Sequence, residues 1–235
     1  MDKIREYLSG LKLTTALDVA TGRGEFIGII QQLAGEGIKI TGVDSSEKML
    51  KLAARHNPEV EFCIGDAYDL TFRDESFDLA CLSNSLHHFE TPQKVIAELK
   101  RVLMPGGHLL IQEMVCDEDQ TAAQKSHIML HHYCAEIDML SSVHHEKTWD
   151  SRKISDFLRK EAGEIGLESE YSYPMEDEFD EKLMDRNIMI VDHFMTQVAE
   201  REDKEVYNKR GEELKAYLAE HGFAPAREKL YLITK

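Results

Sequence analysis

The sequence predicts an α/β fold in which helices cover both faces of a doubly wound, mostly parallel sheet. Strand-like and helix-like segments alternate at short intervals through the first half of the chain, as they do in successive β-α-β units. A glycine-containing turn, Asp18–Gly24, joins the first strand to the first helix. At 235 residues, the chain is long enough for one such domain with helical insertions.

Five strands are predicted in this half, because each is a short apolar run bounded by turn residues. They are Thr14–Ala20, Ile38–Val43, Val60–Ile64, Phe77–Leu82 and His108–Glu113. Three helices lie between them: amphipathic Gly24–Ala34, serine-capped Ser46–His56, and a helix that begins at Thr91-Pro92 and ends near Leu103. The second half is mainly helical, with helices at Glu118–Leu140, Lys153–Ala162, Phe179–Glu200 and Lys204–Glu220 and strands at Leu167–Tyr173 and Lys229–Thr234.

The charge, the lengths of the apolar runs and the cysteine spacing each disfavour a class of function. Forty-four acidic residues against 28 basic ones give a formal net charge of −16, so we expect no nucleic-acid partner, since phosphate binding depends on Lys and Arg. No apolar run approaches the roughly 20 residues of a membrane span, and Met1–Glu6 lacks a signal-peptide core. None of the four cysteines forms a C-x2-C pair. We therefore predict a cytoplasmic protein without a membrane span.

The turn Asp18–Gly24 is typical of sites that hold either a dinucleotide or S-adenosylmethionine. The dinucleotide fingerprint requires a third small residue where this chain has Ile27, and an acid just before the glycines disfavours a pyrophosphate. Asp44 and Asp66 follow the second and third strands, so three carboxylates are expected at one edge of the sheet. A cationic ligand suits them, although a ligand-free strand–helix turn remains an alternative.

Several ordered segments resemble the class I S-adenosylmethionine-dependent methyltransferases. They are Leu17–Gly24, Gly42–Leu50, Gly65-Asp66-Ala67, Ser76–Phe89 and Leu99–Leu110. Within that class the chain is similar to the coenzyme Q/menaquinone C-methyltransferase-like group of small-molecule enzymes. The resemblance implies a Rossmann-like methyltransferase fold, S-adenosylmethionine as cofactor, and a small, partly apolar methyl acceptor such as a phenol, a quinol or a related C, O or N nucleophile.

The resemblance also implies a set of cofactor-binding residues. They are Asp18, Ala20, Gly22, Gly24, Asp44, Ser45, Met49, Asp66, Ala67 and Ser83. In this interpretation the first turn holds the methionine part, Asp44 the ribose, Asp66 the adenine and Ser83 the methionine amine. Because only 13 residues precede the first strand, we expect one domain over residues 1–235, with helical lid insertions at about 115–150 and 175–222.

Histidines are the candidates for proton transfer, which is needed when the acceptor is a phenol, an enol or an acidic carbon. His88 follows the fourth strand, although packing against the cofactor is an equally good interpretation. His127, His131, Cys134 and Asp138 share one helix face, and His144 lies in the loop that follows. We predict His88, His131 and His144 as catalytic residues and no metal site, with metal binding by that face as the rival hypothesis.

Two other functions remain open at this point. One is an NAD-dependent oxidoreductase on a related sheet, and the other is a metal- or cofactor-binding protein of the same fold that transfers no methyl group. The sequence is also compatible with a homodimer.

Overall fold

The computed structural model, which describes residues 1–35, 37–141 and 143–235, contains one sheet of seven strands. The strands are β1 Thr15–Val19, β2 Lys39–Asp44, β3 Glu61–Ile64, β4 Phe77–Ser83, β5 Leu103–Met114, β6 Ile165–Tyr171 and β7 Glu228–Thr234. The helices of the described residues are α1 Asp2–Ser9, α2 Ile27–Ala34, α3 Glu47–His56, α4 Pro92–Val102, α5 Ala122–Leu140, α6 Ser151–Glu161, α7 Glu181–Gln197 and α8 Lys204–His221, with a short 3-10 turn at Leu86–His88.

The order of the strands confirms the predicted doubly wound sheet. Across the sheet the order is β3-β2-β1-β4-β5-β7-β6. The pairings of β1 with β2 and β4, of β2 with β3, and of β4 with β5 are all parallel. The chain builds the sheet in one direction from β1 to β3 and in the other from β4 onward. The switch point between β1 and β4 is where open α/β sheets leave a crevice for ligands.

The chain divides into two compact units. The first comprises Met1–Glu113, Arg152–Tyr171 and Lys229–Lys235 and holds nearly all of the sheet. The second comprises Met114–Ser151 and Ser172–Glu228. Both segments predicted as lid insertions, 115–150 and 175–222, fall within the second unit. Their action as a lid, and the single domain over residues 1–235, stay predictions.

The core of the first unit lies between the sheet and its helices. Buried aliphatic residues of α2, including Ile27 and Leu33, pack with Leu79 of β4 and Leu230 of β7. Helix α1, which the sequence did not predict, adds Ile4 and Leu8 to this core. These two residues are four positions apart and so lie on one helix face, but a stripe of two is too short to stand out in the sequence.

The second unit is built around α5, α7 and α8, which pack against one another. Its core combines Leu130 and Ile137 of α5, Val191 of α7 and Leu218 of α8. Helix α5 begins later than the predicted Glu118, because a capping box between Thr121 and Gln124 sets its first turn. Within the described part of the chain, no helix combines the length and the apolar character needed to cross a membrane.

Candidate functional site

A cleft of about 600 Å³ opens in the first unit at the carboxyl ends of β1, β2 and β4. Seven of the ten predicted cofactor residues line it, namely Asp18, Ala20, Gly22, Asp44, Ser45, Met49 and Ser83. The predicted catalytic residue His88 lines it as well. The lining also includes residues to which no individual role was assigned from the sequence and which lie within or directly after the quoted segments: Thr21, Arg23, Glu25, Phe26, Asn84, Ser85 and Phe89.

The turn after β1 has an unusual backbone. Ala20, Gly22 and Gly24 all have positive φ angles, of 54°, 55° and 78°. Gly24 is not among the residues that line the cleft; a Cβ atom there would lie 3.3 Å from the Cβ atom of Ala53 on α3. This tight packing and the positive φ favour glycine at position 24, and Ala20 is a non-glycine residue held in the left-handed region.

Asp18 is a buried carboxylate in the wall of the cleft. It is 1% exposed, and the Thr21 hydroxyl donates a hydrogen bond to its Oδ2. Among the described residues, its other oxygen, Oδ1, has no hydrogen-bond partner. Burial raises the pKa of Asp18 to about 7, the nearby Asp44 carboxylate adds to the rise, and the Thr21 hydrogen bond opposes it. A cation placed beside Oδ1 would favour the ionised carboxylate.

Asp44 joins the turn after β1 to the beginning of α3. Its Oδ2 accepts from the Gly22 N–H at 2.8 Å, and its Oδ1 accepts from the Ser46 N–H at 2.8 Å. Ser46 caps α3 by accepting from the Met49 N–H at 3.4 Å. Each carboxylate oxygen has a second lone pair, so Asp44 retains acceptor capacity toward a ligand in the cleft.

Asp66 and Ala67, the predicted adenine site, do not line this cleft in the part of the chain that the structure describes. Asp66 is exposed, and its Oδ1 accepts from the Tyr68 N–H at 2.8 Å within a turn that the Asp69 N–H closes on the Asp66 carbonyl at 3.1 Å. The topology places Asp66 directly after β3, as predicted, but the Asp66 side chain accepts a hydrogen bond within its own turn. Adenine binding by Asp66 and Ala67 stays a prediction.

A buried carboxylate that the sequence analysis missed holds the loop after β4. Glu113, at the end of β5, is 1% exposed. It accepts hydrogen bonds from the backbone of Ser85 and Leu86, and it contacts the ring of His87. Only the strand that carries Glu113 was visible in the sequence, because its partners lie 26 to 28 residues away.

In the second unit, the predicted histidine face of α5 separates into residues with different roles. His127 Nδ1 accepts from the Ala226 N–H at 3.0 Å and its ring packs against Phe223. Burial, together with the charge of Arg186, lowers the pKa of His127 to about 4. Cys134 packs against the apolar core, and burial raises its pKa to about 12. His127 and Cys134 are therefore structural.

The other two members of the face meet through a histidine that the sequence analysis did not select. His145 Nδ1 lies 2.7 Å from Asp138 Oδ2, and His145 Nε2 lies 3.2 Å from His131 Nε2. The result is a carboxylate–imidazole–imidazole chain within one unit. The predicted His144 is half-buried, and its Nε2 has no hydrogen-bond partner among the described residues. Catalysis by His131 and His144 stays a prediction.

Comparison with known sequences gives a match over the core of the first unit. Residues 17–111 match a family described as a methyltransferase domain. The chain is 38% identical over 113 residues to the demethylmenaquinone methyltransferase of Thermotoga maritima, a match that covers 48% of this chain and 49% of that protein. The chain thus spans about half the length of this curated relative.

Solved structures with the same fold cover the whole chain at low identity. A methyltransferase structure from Bacillus halodurans, itself assigned only provisionally, matches with a TM-score of 0.57 and 20% identity over 98% of this chain and 96% of that one. The [4+2]-cyclase SpnF matches with the same TM-score and identity, over 100% of this chain and 81% of that one. At this identity the likeness shows the fold alone.

Proposed function

Because residues 17–111 form a class I S-adenosylmethionine-dependent methyltransferase domain, we propose that the chain transfers the methyl group of S-adenosylmethionine to a small, partly apolar acceptor. The observation that carries the proposal is the cleft at the switch point of the sheet, which is lined by Asp44 and by Asp18 and other residues of the turn Asp18–Gly24. S-adenosylmethionine is a sulfonium and an ammonium ion, and such a ligand compensates the cost of keeping two carboxylates in one cleft.

The proposed reaction is an in-line displacement at the methyl carbon. A lone pair of the acceptor forms the new bond to carbon, the C–S bond breaks, and its electron pair remains on sulfur in S-adenosylhomocysteine. The proton of the acceptor passes to a base or to water. Since the leaving group is already activated by its charge, the protein mainly has to align the two reactants and exclude water.

Histidines are the proposed proton acceptors when the acceptor atom carries a proton in the ground state. His88 is supported by its place in the wall of the cofactor cleft. His131 is supported by its contact with His145, which Asp138 holds by a carboxylate–imidazole hydrogen bond. His144 is supported by a buried Nε2 atom that has no hydrogen-bond partner among the described residues. These roles are alternatives for one step, and they apply to a phenol or quinol acceptor.

The class of acceptor follows from charge and from one relative. A net charge of −16 disfavours nucleic acids. The relative in Thermotoga maritima is named for demethylmenaquinone, a quinone-type compound. We therefore propose that the acceptor is a phenol or quinol rather than an amine. We also propose that the protein is located in the cytoplasm.

The test is a transfer assay with methyl-labelled S-adenosylmethionine and a panel of quinols, phenols and amines. We expect label in one quinol or phenol product and one S-adenosylhomocysteine per methyl transferred. Binding of S-adenosylmethionine without turnover on any panel member would favour the alternative, a cofactor- or metal-binding protein of this fold that transfers no methyl group. The similarity in fold to a [4+2]-cyclase keeps that alternative open. Titration with NADH tests the remaining alternative, an oxidoreductase.

A further inference from the structure

We infer that Glu113 is a positioning residue that fixes one wall of the cofactor cleft. This wall is the end of β4 with the loop that follows it, residues 83–89, of which Ser83, Asn84, Ser85, His88 and Phe89 line the cleft. The inference rests on the proposed function, because it assigns Glu113 a role in binding the cofactor of that same site.

Two residues at the end of β5 accept hydrogen bonds from three consecutive backbone N–H groups of the loop. The carbonyl of Gln112 accepts from the Asn84 N–H at 2.8 Å. Glu113 Oε1 accepts from the Ser85 N–H at 2.8 Å and from the Leu86 N–H at 2.9 Å. Glu113 Oε2 lies 3.3 Å from His87 Nδ1. The carboxylate therefore holds the loop at two backbone atoms and one side chain.

The loop that these bonds hold includes an uncommon backbone conformation. Asn84 has a φ of 46°, in the left-handed region that few non-glycine residues adopt, asparagine among them most often. Non-glycine residues in this region are held there by their surroundings and are concentrated at ligand sites. The three bonds of Glu113 lie on the residues that directly follow Asn84, so they are placed to stabilise this conformation.

Because Glu113 is buried, its carboxylate needs the hydrogen bonds that the loop donates, and this couples the two energetically. A carboxylate that is 1% exposed is costly unless hydrogen bonds compensate its lost hydration. Here those bonds come from the loop and are of the charge-assisted kind. To the extent that these bonds hold the loop in place, cofactor binding does not have to provide the free energy of ordering it. Glu113 does not line the cleft among the described residues, so it acts on the cofactor through the loop.

The experiment measures the Kd for S-adenosylhomocysteine and the Tm of four variants of the whole chain. Glu113→Ala removes all three contacts, and we expect the Kd to rise by about 10- to 100-fold. Glu113→Gln keeps one carbonyl oxygen for Ser85 and Leu86, and we expect it to recover most of the affinity. Leu230→Ala is the control: it creates a cavity in the core of the first unit without touching the cleft, so the Tm falls while the Kd stays unchanged.

Glu113→Asp is the variant to use if Glu113→Ala does not fold, because it keeps the charge and withdraws the carboxylate by about 1.5 Å. A several-fold weaker Kd is expected for it. A folded Glu113→Ala or Glu113→Asp protein with the wild-type Kd, or a Leu230→Ala protein weakened as much as Glu113→Ala, would overturn the inference. Wild-type protein that binds no S-adenosylhomocysteine would instead overturn the proposed function, and the role of Glu113 with it.

Discussion

The turn Asp18–Gly24 and the histidine face of α5 were both predicted from residue spacing, and the structure treats them differently. In the turn, most predicted residues line one cleft, because the carboxyl ends of neighbouring parallel strands meet at one edge of the sheet. On α5 the predicted face divides: His127 contacts Ala226 and Cys134 packs against the core, whereas His131 and Asp138 both contact His145. The topology of a parallel sheet brings side chains from neighbouring strands together. Helical periodicity determines only on which face of the helix a side chain lies, and not which residue it contacts.

The largest expected effect separates His131 from His127. His131→Asn should lower the rate of methyl transfer by about 10²- to 10⁴-fold with little change in cofactor affinity, as loss of a proton acceptor does. His127→Ala should instead lower stability, by about 1–3 kcal/mol for the buried Ala226 N–H that it leaves without an acceptor, and the rate should follow the folded fraction. Rate assays beside denaturant titrations measure both.

His193→Asn, on an exposed position of α7, is the matched control for the loss of an imidazole. If metal binding accounts for the role of His131, a chelator should abolish activity and a divalent ion should restore it. We expect activity to survive EDTA. Loss of activity in EDTA together with stoichiometric metal in the purified protein would contradict the proton role.

The next largest effect is expected for Asp44, which lines the cleft together with the turn Asp18–Gly24. Asp44→Ala removes the proposed ribose contacts and should weaken S-adenosylhomocysteine binding by about 1.5–3 kcal/mol, the value of hydrogen bonds to a charged group. Calorimetry measures this change. Asp66→Ala is the variant to compare with it, because it tests the predicted adenine contact at a residue that is exposed and does not line the cleft. Unchanged affinity in Asp44→Ala would remove Asp44 from the site.

The pH dependence of cofactor binding tests Asp18. Its pKa is about 7 in the folded protein, above the ordinary 3.8, so the folded state binds the extra proton between these values. Stability should therefore fall as pH rises from about 4 to 7 and stay at its lower level above. A cationic cofactor favours the ionised form, so its affinity should rise about tenfold per pH unit up to pH 7 and then level off. In Asp18→Asn this slope should vanish; if it persists, another group is responsible.

The smallest effect concerns Ala20. Because Ala20 has a φ of 54°, Ala20→Gly should relieve left-handed strain that exceeds the entropic cost of glycine. The free energy of unfolding should rise by roughly 0.5–1 kcal/mol. Ala16→Gly, in the regular part of β1, should destabilise the protein. An equal loss of stability in both variants would mean that Ala20 is not strained.

Local sequence patterns predicted the strands of the sheet but not the side-chain contacts that tertiary packing creates. Strands β1 to β5 and the fold class were predicted, because buried parallel strands are continuous apolar runs between turn residues. Strand β5 begins earlier than expected, since Pro105-Gly106-Gly107 indicated a turn but lies within the strand. Glu113 and His145 were missed because their partners are set by tertiary packing, which no local pattern reports.

A crystal structure with S-adenosylhomocysteine at saturating concentration tests the proposed cofactor site directly. We predict one molecule in the cleft of the first unit, with its ribose hydroxyls within hydrogen-bond distance of Asp44 and its methionine part between the turn Asp18–Gly24 and the loop 83–89. An empty cleft, or S-adenosylhomocysteine bound elsewhere on the chain, would contradict this prediction.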